Sequence, residues 1–180
     1  MKHLFYLLII LFGSCQQRSS STETLIIPQT VVLDEPSASF TIDTTEAKAW
    51  LAKLIVDFFH SPTIDMQEIT TATYYAFKQD AMNAGLELED SLSEEDFKQK
   101  WKDNYDLNTH PIHSSFLISA QDWVTITVAS LHVERLDTIN NSITFRTIIR
   151  DTEFQADYDR DIVVVRPQDK YLIADVLEYD

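Results

Sequence analysis

The apolar residues of this chain change period once, and that change limits what it can fold into. Between residue 44 and about residue 105 they recur at three- and four-residue spacing, and from Ser115 onward they alternate. Helices first and then a run of antiparallel strands is an α+β layout, three N-terminal helices packed on one side of a curved antiparallel sheet. The best-marked helical stretch is Thr44 to His60, with Ala47, Trp50, Leu51, Leu54, Ile55, Phe58 and Phe59 on one wide face and Lys48, Lys53 and Asp57 between them. This face is expected to lie under the sheet, with Trp50, Leu54 and Phe58 buried. Asp43 stands three residues before Glu46, a capping-box arrangement that would satisfy the first free amides, and Pro62 closes the far end.

Residues 64–83 predict a second helix with Met66, Ile69, Thr73, Ala76 and Phe77 inward, ended at Asn83-Ala84-Gly85 with Gly85 at a C-cap. A third is signed by Ser93 and Asp96, by Leu92 set to staple onto Phe97, and by Phe97, Trp101 and Tyr105 at every fourth position. The alternating half predicts strands through Phe116 and Ile118, then Val124, Ile126 and Val128. Leu131 and Val133 follow on a shifted phase, which implies a bulge near Ser130. Asn140-Asn141 marks a turn before Ile143, Phe145 and Thr147, and residues 167–170 join the last two strands.

Composition removes several function classes. Of two glycines, Gly13 and Gly85, neither sits in a glycine-rich phosphate loop or dinucleotide fingerprint. Fourteen Lys and Arg against 29 Asp and Glu give a formal charge of −15, which repels nucleic acid and anionic headgroups. Cys15 is the single cysteine, so neither an internal disulfide nor a thiolate zinc cluster can hold the fold together.

The first fifteen residues, MKHLFYLLIILFGSC, carry a short basic start at Lys2 and His3, a nine-residue apolar core at residues 4–12, and small residues at Gly13 and Ser14. That core is far short of the roughly 20 residues a spanning helix needs, so the segment reads as a signal peptide. Leu11-Phe12-Gly13-Ser14-Cys15 resembles the lipobox of bacterial, Bacteroidetes-like lipoproteins, with Phe12 in place of the commoner Leu. The resemblance implies cleavage before Cys15, a diacylglyceryl thioether on its sulfur and acylation (palmitate among the chains) of its freed amine. Loss of residues 1–14 removes Lys2 and no acid, leaving 13 basic against 29 acidic residues, or −16. Polar, Ser/Thr-rich residues 16–24 read as a tether with a reach of roughly 15–18 Å, and residues 25–33, LIIPQTVVL, as an edge strand or an extended arm broken by Pro28. No acid directly follows Cys15, which resembles lipoproteins passed to the outer membrane. The expected organisation is a signal peptide at 1–14, lipidated cysteine, tether and arm at 15–40, and one α+β domain at 41–180.

Phe58-Phe59 in the opening helix, Phe97 and Trp101 in the third, and the closing Lys170-Tyr171-Leu172-Ile173-Ala174-Asp175-Val176 resemble the nuclear transport factor two-like cone fold, over residues 44–180. Within it they resemble small bacterial lipoprotein domains of unknown function. Enzymes of that fold use an Asp or His facing a cone lined by aromatic residues. The resemblance singles out Tyr74, Tyr75, His132 and Asp175 as pocket candidates and assigns none of them catalysis.

Asp157, Asp159 and Asp161 alternate and would share one strand face, as a hard cation requires. Ile162 stands where a calcium loop needs Gly, and Gln168 where it needs Glu, so the acids read as edge-strand charge that deters aggregation. His110 and His113, three apart around Pro111, read as capping or surface residues, and no G-x-S-x-G elbow activates a serine. No metal and no cofactor is expected. The sequence thus points to a lipid-anchored envelope module at the periplasmic side of the outer membrane, binding a small molecule or an envelope protein without catalysis. The alternatives are an acidic inhibitor or immunity protein masking a basic partner, and a cone-fold hydrolase or isomerase.

Overall fold

A computed structural model describes residues 42–179, which lie within one compact unit. The expectations for the leader, Cys15, the tether and the arm fall outside the described residues. Four helices, α1 (Thr44–His60), α2 (Met66–Ile69), α3 (Ala72–Asn83) and α4 (Glu94–Trp101), precede four strands, β1 (Ile126–Asp137), β2 (Ser142–Asp151), β3 (Ala156–Val165) and β4 (Leu172–Glu178). The strands form one antiparallel sheet in the order β1-β2-β3-β4, so the molecule is α+β. Among the described residues no helix is long and apolar enough to cross a membrane.

α1 has the bounds its periodicity marks. The Asp43 carboxylate accepts from the amides of Thr45 at 2.7 Å and Glu46 at 3.0 Å. Only half of the expected capping box forms, because the Glu46 carboxylate is drawn across to the Tyr171 hydroxyl at 2.9 Å and Arg166 at 3.2 Å. Ala47, Leu51, Leu54 and Ile55 are buried, whereas Trp50 and Phe58 are only half-buried, which corrects the expectation that all three of Trp50, Leu54 and Phe58 would be covered. A seventeen-residue helix with so broad an apolar face leaves its margins outside the strip that the sheet covers.

The single helix expected over residues 64–83 is two. Thr70 is extended, and the Thr71 amide donates to the Ile173 carbonyl at 2.8 Å, forming a parallel bridge on the open side of β4. The β-branched Thr pair gives up little helical preference there, and covers an edge strand in exchange. Thr71 then caps α3, its hydroxyl accepting from the Tyr74 amide at 3.3 Å. The restart turns the helix, so Thr73 and Ala76 are exposed and the buried face is Tyr74, Phe77, Lys78 and Ala81. Gly85 does follow the α3 C-cap at φ +72°, and a Cβ there would meet Glu94 Cγ at 3.1 Å.

α4 starts at Ser93 as its capping signal requires, with Glu94, Glu95 and Asp96 in its first turn and Lys98 and Lys100 in its last, signs that suit the helix dipole. It ends at Trp101. Tyr105 lies beyond it, yet stacks on Phe77 at 4.0 Å between ring centres.

Strand structure begins later than alternation predicts. Phe116, Leu117 and Ile118 are buried in succession, and Leu117 has φ +70°, so residues 115–125 are not a strand. The bulge expected near Ser130 is present, the register skipping Ala129, and a second skip falls at Glu134. β3 is an inner strand, which corrects the edge-strand reading of its acids. Asp157 is gripped by Arg150 at 2.5 and 2.6 Å, and Asp159 and Asp161 by Arg146 at 2.7 and 3.3 Å, all across the β2–β3 ladder. One apolar cluster joins the inward residues of the sheet to the buried faces of the helices.

Candidate functional site

Strand parity and helix spacing carry charged side chains into the interior. Arg160 shares the inward side of β3 with Ile162 and Val164, opposite the three aspartates, and is fully buried. Glu178 faces inward from β4 two places after Val176, and Lys78 lies one turn after Tyr74 on the covered face of α3. Lys78 and Glu178 meet at 2.7 Å with side-chain exposures of 3% and 2%. The other Glu178 oxygen accepts from the hydroxyls of Ser114 at 2.5 Å and Ser119 at 3.2 Å, and Arg160 donates to Ser119 at 2.7 Å. Arg160 also donates to the Leu117 carbonyl at 3.0 Å, which holds that left-handed residue in place.

Burial lowers the proton affinity of Lys78, with Glu178 opposing it, and likewise that of Arg160. Tyr74 borders the same network. Its hydroxyl has no hydrogen-bond partner among the described residues, and burial, aided by the negative charges of Asp175 and Glu178, raises its pKa well above the ordinary phenol value. This phenol stays protonated.

A second cluster seals the β4 edge. The Glu178 amide donates to the Thr109 carbonyl at 2.9 Å, and the adjacent His110 is 4% exposed. His110 Nδ1 lies 2.5 Å from the Asp106 carbonyl and Nε2 lies 2.7 Å from Asp175 Oδ1. Both ring nitrogens therefore face oxygen acceptors, an arrangement that fits the imidazolium. Burial, the largest single influence, opposes its charge, but the bond and charge of Asp175 together with the Asp106 carbonyl raise the His110 pKa. Phe77 and Tyr105 close over the ring. With Nδ1 and Nε2 both at hydrogen-bond distance from protein oxygens, neither nitrogen of His110 is turned toward a substrate.

The four residues singled out from sequence do not converge. Tyr74 and Asp175 both border the interior cluster and Tyr75 is half-buried on α3 against the apolar core, but His132 is exposed on β1, 4.0 Å from Glu134. Reading each charged residue by parity would have found Arg160 and Glu178, and helical spacing would have found Lys78. His110 needed the loop path. Among the described residues no three His, Cys, Asp or Glu side chains are grouped to hold a metal ion.

A concavity of about 240 Å³ opens between the end of α1, the α2–α3 region and residues 115–123. Phe58, Phe59, Met66, Met82, Phe116 and Trp123 give it apolar walls, and Gln79 and Ser115 add polar groups. Phe59 and Trp123 meet edge to face at 5.2 Å, with the indole N–H directed at the Phe59 carbonyl at 3.4 Å. A wider depression of about 470 Å³, lined in part by Glu134, Arg135, Asp161 and Asp175, mixes both charge signs. No protein-family model, curated protein or solved structure matches the chain.

Proposed function

We propose that this is a lipid-anchored envelope module with a cone-like α+β domain, and that it binds a neutral, single-ring-sized apolar group instead of catalysing a reaction. The observation that carries this reading is the concavity walled by Phe58, Phe59, Met66, Met82, Phe116 and Trp123. Apolar walls with a few polar groups are the usual composition of a ligand site, and about 240 Å³ suits one ring. The formal charge of −15 disfavours an anionic ligand. The interior charges support binding over catalysis, because Lys78, Glu178 and His110 are engaged with one another or with Asp175 and the backbone. Anchorage at Cys15, in the outer membrane facing the periplasm, rests on the lipobox-like leader and the polar tether.

The chain has three methionines, Met1 in the leader and Met66 and Met82 in the concavity. With ¹³C-methyl methionine in the full chain in detergent at pH 7, phenol should shift the Met66 and Met82 methyls saturably through its ring current. Shifts that are absent, or that grow linearly with phenol at all concentrations, would refute the binding reading. Anchorage is tested apart from it: wild type should take up labelled palmitate and sediment with membranes, and Cys15→Ser should do neither.

One observation favours a second reading, an inhibitor or immunity protein that masks a basic partner. Glu87, Glu89, Asp90, Glu94, Glu95 and Asp96 are all exposed within ten residues. Binding of this kind would weaken steeply between low and physiological salt, whereas ring binding would not.

A further inference from the structure

The inward face of the sheet has an uncovered margin along β1. This strand is at the sheet edge, and among the described residues it is paired on one side, with β2. The register sets Val133 opposite Phe145 and Leu136 opposite Ile143, two fully buried residues, yet Val133 is 41% and Leu136 49% exposed. Their odd spacing would ordinarily put them on opposite faces. The skip at Glu134 inserts one extra residue, so both lie on the inward face, while His132, Arg135 and Asp137 lie on the other, opposite Arg146, Thr144 and Ser142.

We propose that this margin is an interface with a second copy of the chain, in which β1 pairs antiparallel with the same strand of the second copy about a two-fold axis between Glu134 and Arg135. In that register Glu134 meets the second copy's Arg135, Val133 meets its Leu136 and His132 meets its Asp137, and each match occurs twice by symmetry. Every pair is opposite in charge, complementary in polarity or apolar on both sides, and each joins residues of one sheet face, as cross-strand partners must be; Glu134, the extra residue, lines the same outer depression as Arg135, Thr144 and Asp161.

The neighbouring registers fail. Centring the axis on Glu134 sets that carboxylate against itself and Val133 against Arg135. Centring it on Arg135 sets two guanidinium groups together and Val133 against Asp137. Moving the axis between Val133 and Glu134 pairs those two, and moving it beyond Arg135 opposes Glu134 to Asp137. Like charges directly opposite are destabilising, so the sequence of this edge selects one self-pairing. It would join two four-stranded sheets into one and cover the exposed Val133 and Leu136, an edge that would otherwise be open to indiscriminate pairing. The proposal does not depend on the ligand reading, since β1 residues 131–137 do not line the apolar concavity.

Native mass spectrometry of the full chain released from detergent micelles tests it at micromolar concentration. The wild type should give a dimer. Glu134→Arg and Arg135→Glu should each weaken it tenfold or more, since each sets like charges opposite at both symmetry-related contacts. An equimolar mixture of these two variants should recover a dimer containing one copy of each, resolved by mass, because the mixed pair restores both charge matches. Thermal melts of each variant alone check that the fold is intact. A monomeric wild type, a dimer insensitive to both substitutions, or a mixture that forms no mixed dimer would each overturn the proposal.

Discussion

His110 shows how one side chain can link two elements through its charge. Its ring spans the loop carbonyl of Asp106 and the carboxylate of Asp175 on the β4 edge, under Phe77 and Tyr105. The folded pKa is raised above the ordinary value of 6.5, burial being outweighed by the Asp175 bond and charge together with the Asp106 carbonyl. Folding therefore takes up a proton in the window above the unfolded pKa, and the contribution of this group is fully present below about pH 6.5. It is lost as pH rises through the folded value. Urea unfolding midpoints should fall between pH 6 and pH 8.5, and His110→Gln should flatten that fall while lowering stability at pH 6. A wild type equally stable at both values would show that the ring is not charged in the folded state. The interior ion pair belongs to the same scale. Removing Lys78 leaves the buried Glu178 carboxylate with Arg160 at 3.6 Å as a remaining cation, whereas removing Glu178 strips Lys78 of the carboxylate 2.7 Å away, a loss of about 3–5 kcal/mol when a buried pair is broken.

The elements are set by short-range signals, and their ends by what lies beside them. Asp43, Ser93 and Thr71 each accept from amides at a helix start. Thr71→Ala should cost about 0.5–2 kcal/mol, the range for losing a hydroxyl cap, measured as a lower urea midpoint. It should leave the Thr71 amide bond to Ile173 protected in hydrogen exchange, since that bond uses the backbone. Loss of that protection together with the cap would mean that the α2–α3 break depends on the hydroxyl. The hairpins manage without glycine. Asn141, Gln155 and Gln168 take φ of +48°, +55° and +58°, and Asp137 and Asp151 fix the first two turns by accepting from amides two and three residues on. Turns of this make are legible as Asx signals where Asn140-Asn141 follows Asp137, and less so at Gln155.

At the scale of the whole molecule, a formal charge of −15 is a net excess of negative charge that repels itself, offset locally by the Arg146 and Arg150 clamps on β3. Raising salt from about 10 mM to 150 mM contracts the screening length from about 30 to 8 Å. Repulsion spread over the surface is screened more than contact pairs, so the melting temperature should rise by several degrees in calorimetry. A fall would show that the exposed ion pairs outweigh the repulsion. The sequence by itself determined the α+β order, the α1 bounds, the Ser93 and Gly85 caps, the Asn140-Asn141 turn and the bulge beside Ser130, because each follows from residues a few positions apart. Only the tertiary structure decided the rest. The Thr70-Thr71 break answers to a carbonyl on β4, a hundred residues away in sequence. The β3 acids became cross-strand partners because β2 sets Arg146 and Arg150 beside them, and Arg160, Lys78 and Glu178 became an interior network because three elements converge. Local periodicity records which side of an element avoids water; it does not record which charges on that side will find one another, and that pairing is fixed only when the chain closes on itself.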